Sequence, residues 1–319
     1  MLKRLYILTF LIAALAAKSV GQDPQFSQFY AAPLYLNPAF AGSTELARVG
    51  LNYRNQWPAY PTNFVTYSGF FDYYVDEYNS GVGLLLFSDV EGLVGLKTNT
   101  VMAQYAYQLR ITDGMSFRAG LAGSYTMQNL DPSNLIFGDQ IDYGGQFKDL
   151  TDDAIIGRDF RNNYFDFGAG GLFYTDRLWL GFSAFHLLTP INSLIDGESE
   201  LDRKFSAHAG YKILLPTSTD FNFPGGFRDV SFTPTVQYKQ QGTFSQLDAG
   251  LYFNYEPLVL GTWYRGIPFK SVEGNPNNES IILLVGISTN GLHIGYSYDY
   301  TISQLGISNR RGTRSIAEV

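Results

Sequence analysis

Side-chain alternation with a period of two, sustained over long segments and repeated along the chain, constrains this sequence more than any other feature. Over residues 47–55 one face reads Ala47, Val49, Leu51 and Tyr53, and the other Arg48, Gly50, Asn52 and Arg54. Over residues 100–110 an apolar face of Val101, Ala103, Tyr105, Tyr107 and Leu109 opposes Thr100, Gln104, Gln108 and Arg110. Successive strand residues point to opposite faces, so alternation marks a strand with two different environments. The pattern returns at 116–128, 204–213, 246–256 and 292–299. It is less clean at 63–75, 81–88, 164–174, 178–187, 230–239, 259–265 and 281–288, and a last segment is read at 312–319, fourteen in all. Most are longer than the roughly 5–6 residues of an ordinary globular strand and suit the roughly 9–11 needed to cross a bilayer at a tilt.

The connections add a second regularity. Thr112-Asp113-Gly114, Thr175-Asp176-Arg177, Glu256-Pro257 and Thr289-Asn290-Gly291 are tight-turn chemistries, and they follow the fourth, sixth, tenth and twelfth segments. The long connections 129–163, 189–202 and 266–278 follow the fifth, seventh and eleventh. Outer-membrane barrels have short periplasmic turns and long outer loops, so this parity orients the strands. Residues 56–62 and 216–229 break it. Trp57, Tyr60, Tyr73, Tyr74 and Trp179 stand near segment ends, where interfacial girdles place aromatics. The fold class is therefore all-β: a transmembrane antiparallel up-and-down barrel of about 14 strands. The competing architecture is a soluble exported β-sandwich.

Residues 1–21 read as an export signal: Lys3 and Arg4, a short apolar run, then Ser19 and Gly21 before a cleavage point at Gln22. A non-barrel segment is assigned to 22–45 and the barrel to 46–319. Charged residues are 16% of the chain and the formal charge is -7, which argues against nucleic-acid binding. Cysteine is absent, excluding disulfides, thiolate metal sites and thiol nucleophiles.

If the apolar faces meet lipid, the polar faces line a lumen. It would hold Arg48, Arg54, Arg110, Arg118, Asp166, Asp248 and Asp299, with Asp72, Glu256, Lys204, Lys212 and Lys239. Mixed signs point to ion pairs that tie the wall together rather than to a selective path. Catalysis has little support. His186, His208 and His293 are scattered, no nucleophile motif is present, and no cofactor or metal is expected. The acidic stretch 139–153 reads as a solvated loop.

Residues 22–43, QDPQFSQFYAAPLYLNPAFAGS, contain three prolines and no alternation. Phe26, Phe29, Tyr30, Tyr35 and Phe40 need burial, Asn37-Pro38 starts a turn, and Gly42 can take positive φ. The segment is expected to be a plug or brace in the periplasmic mouth, or a docking element for a periplasmic partner. DPQFSQFYAAPLYLNPAFAGS closely resembles the N-terminal motif of the PorP/SprF family, outer-membrane proteins of the type IX secretion system of Bacteroidetes. YRNQWP at 53–58, LDPSNLIFGDQID at 130–142 and GYSYDYTIS at 295–303 fit the same pattern. The resemblance implies a 14-stranded barrel in the cell outer membrane, similar to the fatty-acid transporter type. It further implies a non-enzymatic part in the secretion and gliding machinery, exporting or surface-anchoring cargo proteins with a C-terminal sorting domain. Its partners would be outer-membrane lipid, that cargo and periplasmic ring subunits. The family usually ends in a strand with a terminal aromatic, whereas this chain stops at Ser315-Ile316-Ala317-Glu318-Val319, so either a truncated sequence or an incomplete closing strand is expected. The alternative function is a transporter or porin for a hydrophobic or small solute.

Overall fold

The computed structural model describes residues 22–58, 64–92, 95–131, 135, 138–141, 160–194, 199–215, 230–272, 275–303 and 313–318. The export signal, Tyr60 and most of the acidic stretch lie outside the described residues. The strands are β1 (Arg48–Gln56), β2 (Phe64–Val75), β3 (Ser80–Glu91), β4 (Leu96–Thr112), β5 (Met115–Leu130), β6 (Arg161–Thr175), β7 (Leu178–Phe185) and β8 (Lys204–Tyr211). They continue with β9 (Ile213–Leu214), β10 (Val230–Gln241), β11 (Phe244–Tyr255), β12 (Leu258–Val272), β13 (Asn275–Thr289), β14 (Leu292–Thr301) and β15 (Thr313–Glu318). β9 prolongs β8 past Lys212, and both pair with β10, so the spans number fourteen. All pairings are antiparallel and, apart from the one that joins the two ends, link spans that are neighbours in sequence. β15 pairs with β14 and also with β1, for example Tyr53 opposite Ile316, so each span has two neighbours.

Polarity across the wall is the inverse of a soluble core. Val49, Leu51, Leu121, Phe165 and Phe182 are each more than half exposed on the outside. Asn52, Asp72, Gln104, Arg118, Asp248 and Asp299 are buried on the inside. Hydrocarbon solvates the first set, and the second must find hydrogen bonds within the protein. β4 and β5, 17 and 16 residues long, exceed what a bilayer requires and project beyond it.

Three details depart from expectation. Residues 266–278 are not a long loop: β12 runs on to Val272 and β13 starts at Asn275, with register shifts after Arg265 and after Ile267. Hairpin pairing continues beyond the bilayer because the backbone bonds need no apolar face. Trp179 faces inward, where its indole N–H donates to the Tyr30 hydroxyl at 3.1 Å, while its neighbour Leu180 points out. Tyr74 likewise is buried inside, whereas Tyr73 is exposed.

Candidate functional site

Inside the ring lies the N-terminal segment. It is built from a 3-10 turn at Phe29–Ala31, one helical turn α1 (Pro33–Leu36) and a second 3-10 turn at Pro38–Phe40. Pro33 and Pro38 each open a turn, where a missing N–H costs nothing. The Asn37 side chain caps the last turn, accepting from the Ala39 N–H at 2.9 Å. A proline-rich chain of short turns thus has few backbone donors to satisfy in a space where no sheet edge is offered.

The segment does not sit only in the periplasmic mouth. By loop lengths the periplasmic end carries the turns after β2, β4, β6, β11 and β13. Asp23 stands at the opposite, loop end, and Gly42 reaches the turn end. The segment extends beyond the periplasmic mouth because apolar wall residues are spread over the full depth. Phe29 and Leu36 cluster with Trp263, Ile282 and Leu284. Leu34 and Ala41 cluster with Phe70, Leu85 and Ala106. Phe26 and Ala32 cluster with Phe87, whose ring stacks on Tyr35 at 5.1 Å.

Polar groups fix the register between segment and wall. The Asn37 amide donates to the carbonyls of Gly171 and Phe182 at 3.0 and 3.1 Å. Asn52 donates to Ala31 O, Gln104 to Leu34 O and Ser183 to Leu36 O. The Arg118 guanidinium, fully buried, donates to the carbonyls of Ala39 and Ala41. Arg48 pairs with Asp72 at 2.9 Å, and Asp72 also accepts the Gly42 N–H at 2.7 Å. Gly42 has φ of +67°, a conformation that favours glycine. Arg54, Asp248 and Asp299 converge with Arg265 in one buried network. Arg265 donates to Asp248 at 2.8 Å and to Asp299 at 2.9 Å, and Ser27 of the segment donates to Asp299 at 2.7 Å. Arg54 lies 3.9 Å from Asp299. Arg110 does not join the lumen set. It stands at the turn-end rim, about half exposed, 3.8 Å from Glu45 and 3.9 Å from Asp76, because the inward row of β4 has by then left the bilayer.

The loop-end anchor was not legible in sequence. Asp23 meets His186 at 2.9 Å and Lys204 at 2.9 Å, and its N–H donates to Gln241. His186 is also 2.8 Å from Asp166. An imidazole donates from both nitrogens only when protonated, so two carboxylates hold it as the cation. Burial alone would depress its pKa, but Asp23 and Asp166 overcome that and raise it to about 9. Burial alone would raise the Asp23 pKa, and His186 with Lys204 bring it well below the ordinary value. The anchor's histidine contribution is therefore complete below the unfolded value of about 6.5 and lost as pH rises through about 9. The Asp23 contribution is present above about 3.9 and lost as pH falls through its depressed value. A spin label at Gln22 should stay immobile at neutral pH and loosen above about pH 9. In His186→Ala it should be loose throughout. Unchanged mobility across the alkaline range would contradict the assignment.

A family model described as "Type IX secretion system membrane protein PorP/SprF" matches residues 18–316. The chain belongs to the PorP/SprF family. It is accordingly a membrane component of a type IX secretion system, and its place is the outer membrane. No curated protein matches significantly. Among solved structures, a Pseudomonas aeruginosa FadL homologue is 13% identical, with 85% of this chain and 84% of that chain covered at a TM-score of 0.38. A Rh. blastica porin variant is 7% identical, with 85% and 98% covered at 0.34. BamA from Haemophilus ducreyi, lacking POTRA domains 1–3, is 8% identical, with 86% and 69% covered at 0.38. Likenesses this distant add nothing to the fold already given by the strand pairing of this PorP/SprF chain.

Proposed function

We propose that this protein is a non-enzymatic outer-membrane station of the type IX secretion and gliding machinery, which helps export or surface-anchor cargo proteins carrying a C-terminal sorting domain. The observation that carries the reading is the lumen packed by residues 22–45 in a chain of this family. A barrel filled along its depth serves as a scaffold better than as a diffusion pore. Phe26, Phe29 and Asn37 are turned to the wall and buried, which favours a brace over a segment offered to a periplasmic partner. Ring subunits would meet the turn end, and cargo the loop end.

The test is a strain lacking this protein, assayed for cargo on the surface and in the periplasm. Cargo should accumulate in the periplasm, and the full chain supplied in trans should restore export. Normal surface delivery in the null strain would overturn the proposal. The purified barrel should also be silent in planar bilayers. Steady conductance by the intact protein would favour the transporter or porin alternative instead.

A further inference from the structure

β8, β10 and β11 turn a polar wall toward the loop-end half of the lumen. Their registers set Ser206, Lys239 and Gln246 in one row across the three strands, with Gln241 one step nearer the rim and Gln237 one step deeper. The two-residue turn at Gly242-Thr243 forms the lip, where Thr243 and Phe244 are exposed. Phe26, Phe29 and Leu36 of the N-terminal segment face this wall, and the space between is a cavity of about 530 Å³ that Asn277 also lines. That volume is in the range of small-ligand sites. β10 is paired on both sides, so recognition at this wall falls to side chains.

Two groups on this wall lack partners. Gln237 is 5% exposed and Ser206 3%, yet neither side chain makes a hydrogen bond among the described residues, and both line the cavity. The neighbours of Gln237 in its own row are committed elsewhere: His208 meets Asn37 at 3.3 Å, and Asp248 accepts from Arg265 at 2.8 Å. Buried polar groups are almost always paired, so these two call for a partner inside the cavity. The charged lining groups, by contrast, compensate one another. Lys204 is held by Asp23 at 2.9 Å; Lys239 donates to Gln25, and Gln25 donates to Glu279 at 3.3 Å. No charge is left for an ionic ligand to neutralise. Amides and hydroxyls both donate and accept, which matches a ligand whose own polar groups do the same. Sugar hydroxyls have that property. The rings of Phe26 and Phe29 on the opposite side present negative π-faces, which suit the C–H face of a pyranose.

We propose that this cavity is a binding site for a neutral saccharide entering from the loop end, with its hydroxyls on Gln237, Ser206 and the amides of the wall and one ring face on Phe26 and Phe29. The N-terminal segment closes the floor, so the site holds its ligand rather than conducting it. The sugar is free or is the glycan of a surface lipid; the chemistry read is the same. The site stands independently of the secretion role.

The experiment uses the full chain in lauryldimethylamine oxide, because a maltoside detergent would itself offer a sugar. The sequence has no cysteine, so Thr243→Cys gives a single thiol at the lip for a bimane label. The probes are cellobiose, lactose, maltose and diacetylchitobiose. At least one should shift the emission saturably. Gln237→Leu should raise its half-saturation about tenfold, the effect of one lost hydrogen bond in a buried site. The heat-modifiable gel shift of that variant should match the parent, because no hydrogen bond within the protein is lost. Ser206→Ala should weaken binding in the same direction. No saturable response to any of the four, or an unchanged half-saturation in Gln237→Leu, would overturn the site and leave water as the occupant. A stronger response to glucuronate than to glucose would overturn the neutral class. Glycan released from lipopolysaccharide should compete as well as the intact glycolipid; competition by the intact lipid alone would overturn recognition of the sugar.

Discussion

Arg265→Leu is expected to cost about 3–5 kcal/mol of barrel stability, the usual penalty for removing one partner of a buried ion pair. Arg265 is 1% exposed and is the main cation for two buried carboxylates, Asp248 and Asp299. Leucine fills part of the space but solvates neither. Arg54, at 3.9 Å from Asp299, cannot reach both. The residual hydrogen bonds from Gln246 to Asp248 and from Ser27 to Asp299 are neutral donors and offset only part of the loss. The measurement is the temperature at which the folded, fast-migrating form converts to the slow form on a gel. Adding Asp248→Asn to Arg265→Leu should recover part of the fall, since one orphaned charge is removed. A conversion temperature equal to that of the parent would show that the network is not stabilising. Arg265→Lys keeps the charge but loses the fork, and should fall between.

Gly120→Val is expected to expel the N-terminal segment from the turn half of the lumen. A Cβ at this position would lie 2.3 Å from the Ala39 nitrogen and 2.5 Å from the Pro38 carbonyl carbon. Both are backbone atoms of the segment, so no side-chain rotation relieves the overlap. β5 is held by β4 and β6 along its length, and the segment is the softer partner. The lumen should then open. Bilayer recordings should show ion conductance steps where the parent is silent, and a protease should cut near Asn37 in intact barrels. Gly123→Ala, on the same strand but with its Cβ no closer than 3.6 Å to Phe167, is the matched control and should change neither. A silent, protease-resistant Gly120→Val barrel would mean that the wall yields instead.

The barrel was legible because lipid and lumen impose opposite demands on neighbouring residues, and β1, β4 and β5 obey both demands cleanly. The segments that looked less regular carry the information that was missed. β3 reads Leu84, Leu85, Leu86, Phe87 and β13 reads Ile281 to Val285, apolar on both faces. Leu85, Phe87, Ile282 and Leu284 face inward because they pack on the N-terminal segment rather than on water. Broken alternation thus marked the depth of the segment, a signal that a strand-by-strand reading discards. The Asp23–His186–Asp166–Lys204 anchor had no such signal. Its members come from four places in the chain, and only the ring of pairings brings them together. Arg110 was misplaced for a related reason: parity tells which face a residue shares, not how far along the cylinder axis it lies.

The direction in which residues 22–43 run has a bearing on biogenesis. Asp23 lies at the loop end, while the next strand begins at Arg48 at the opposite rim, so the chain between them threads the closed cylinder. The segment between them has to be laid in place while the cylinder is still an open ribbon, before the first and last strands are zipped together.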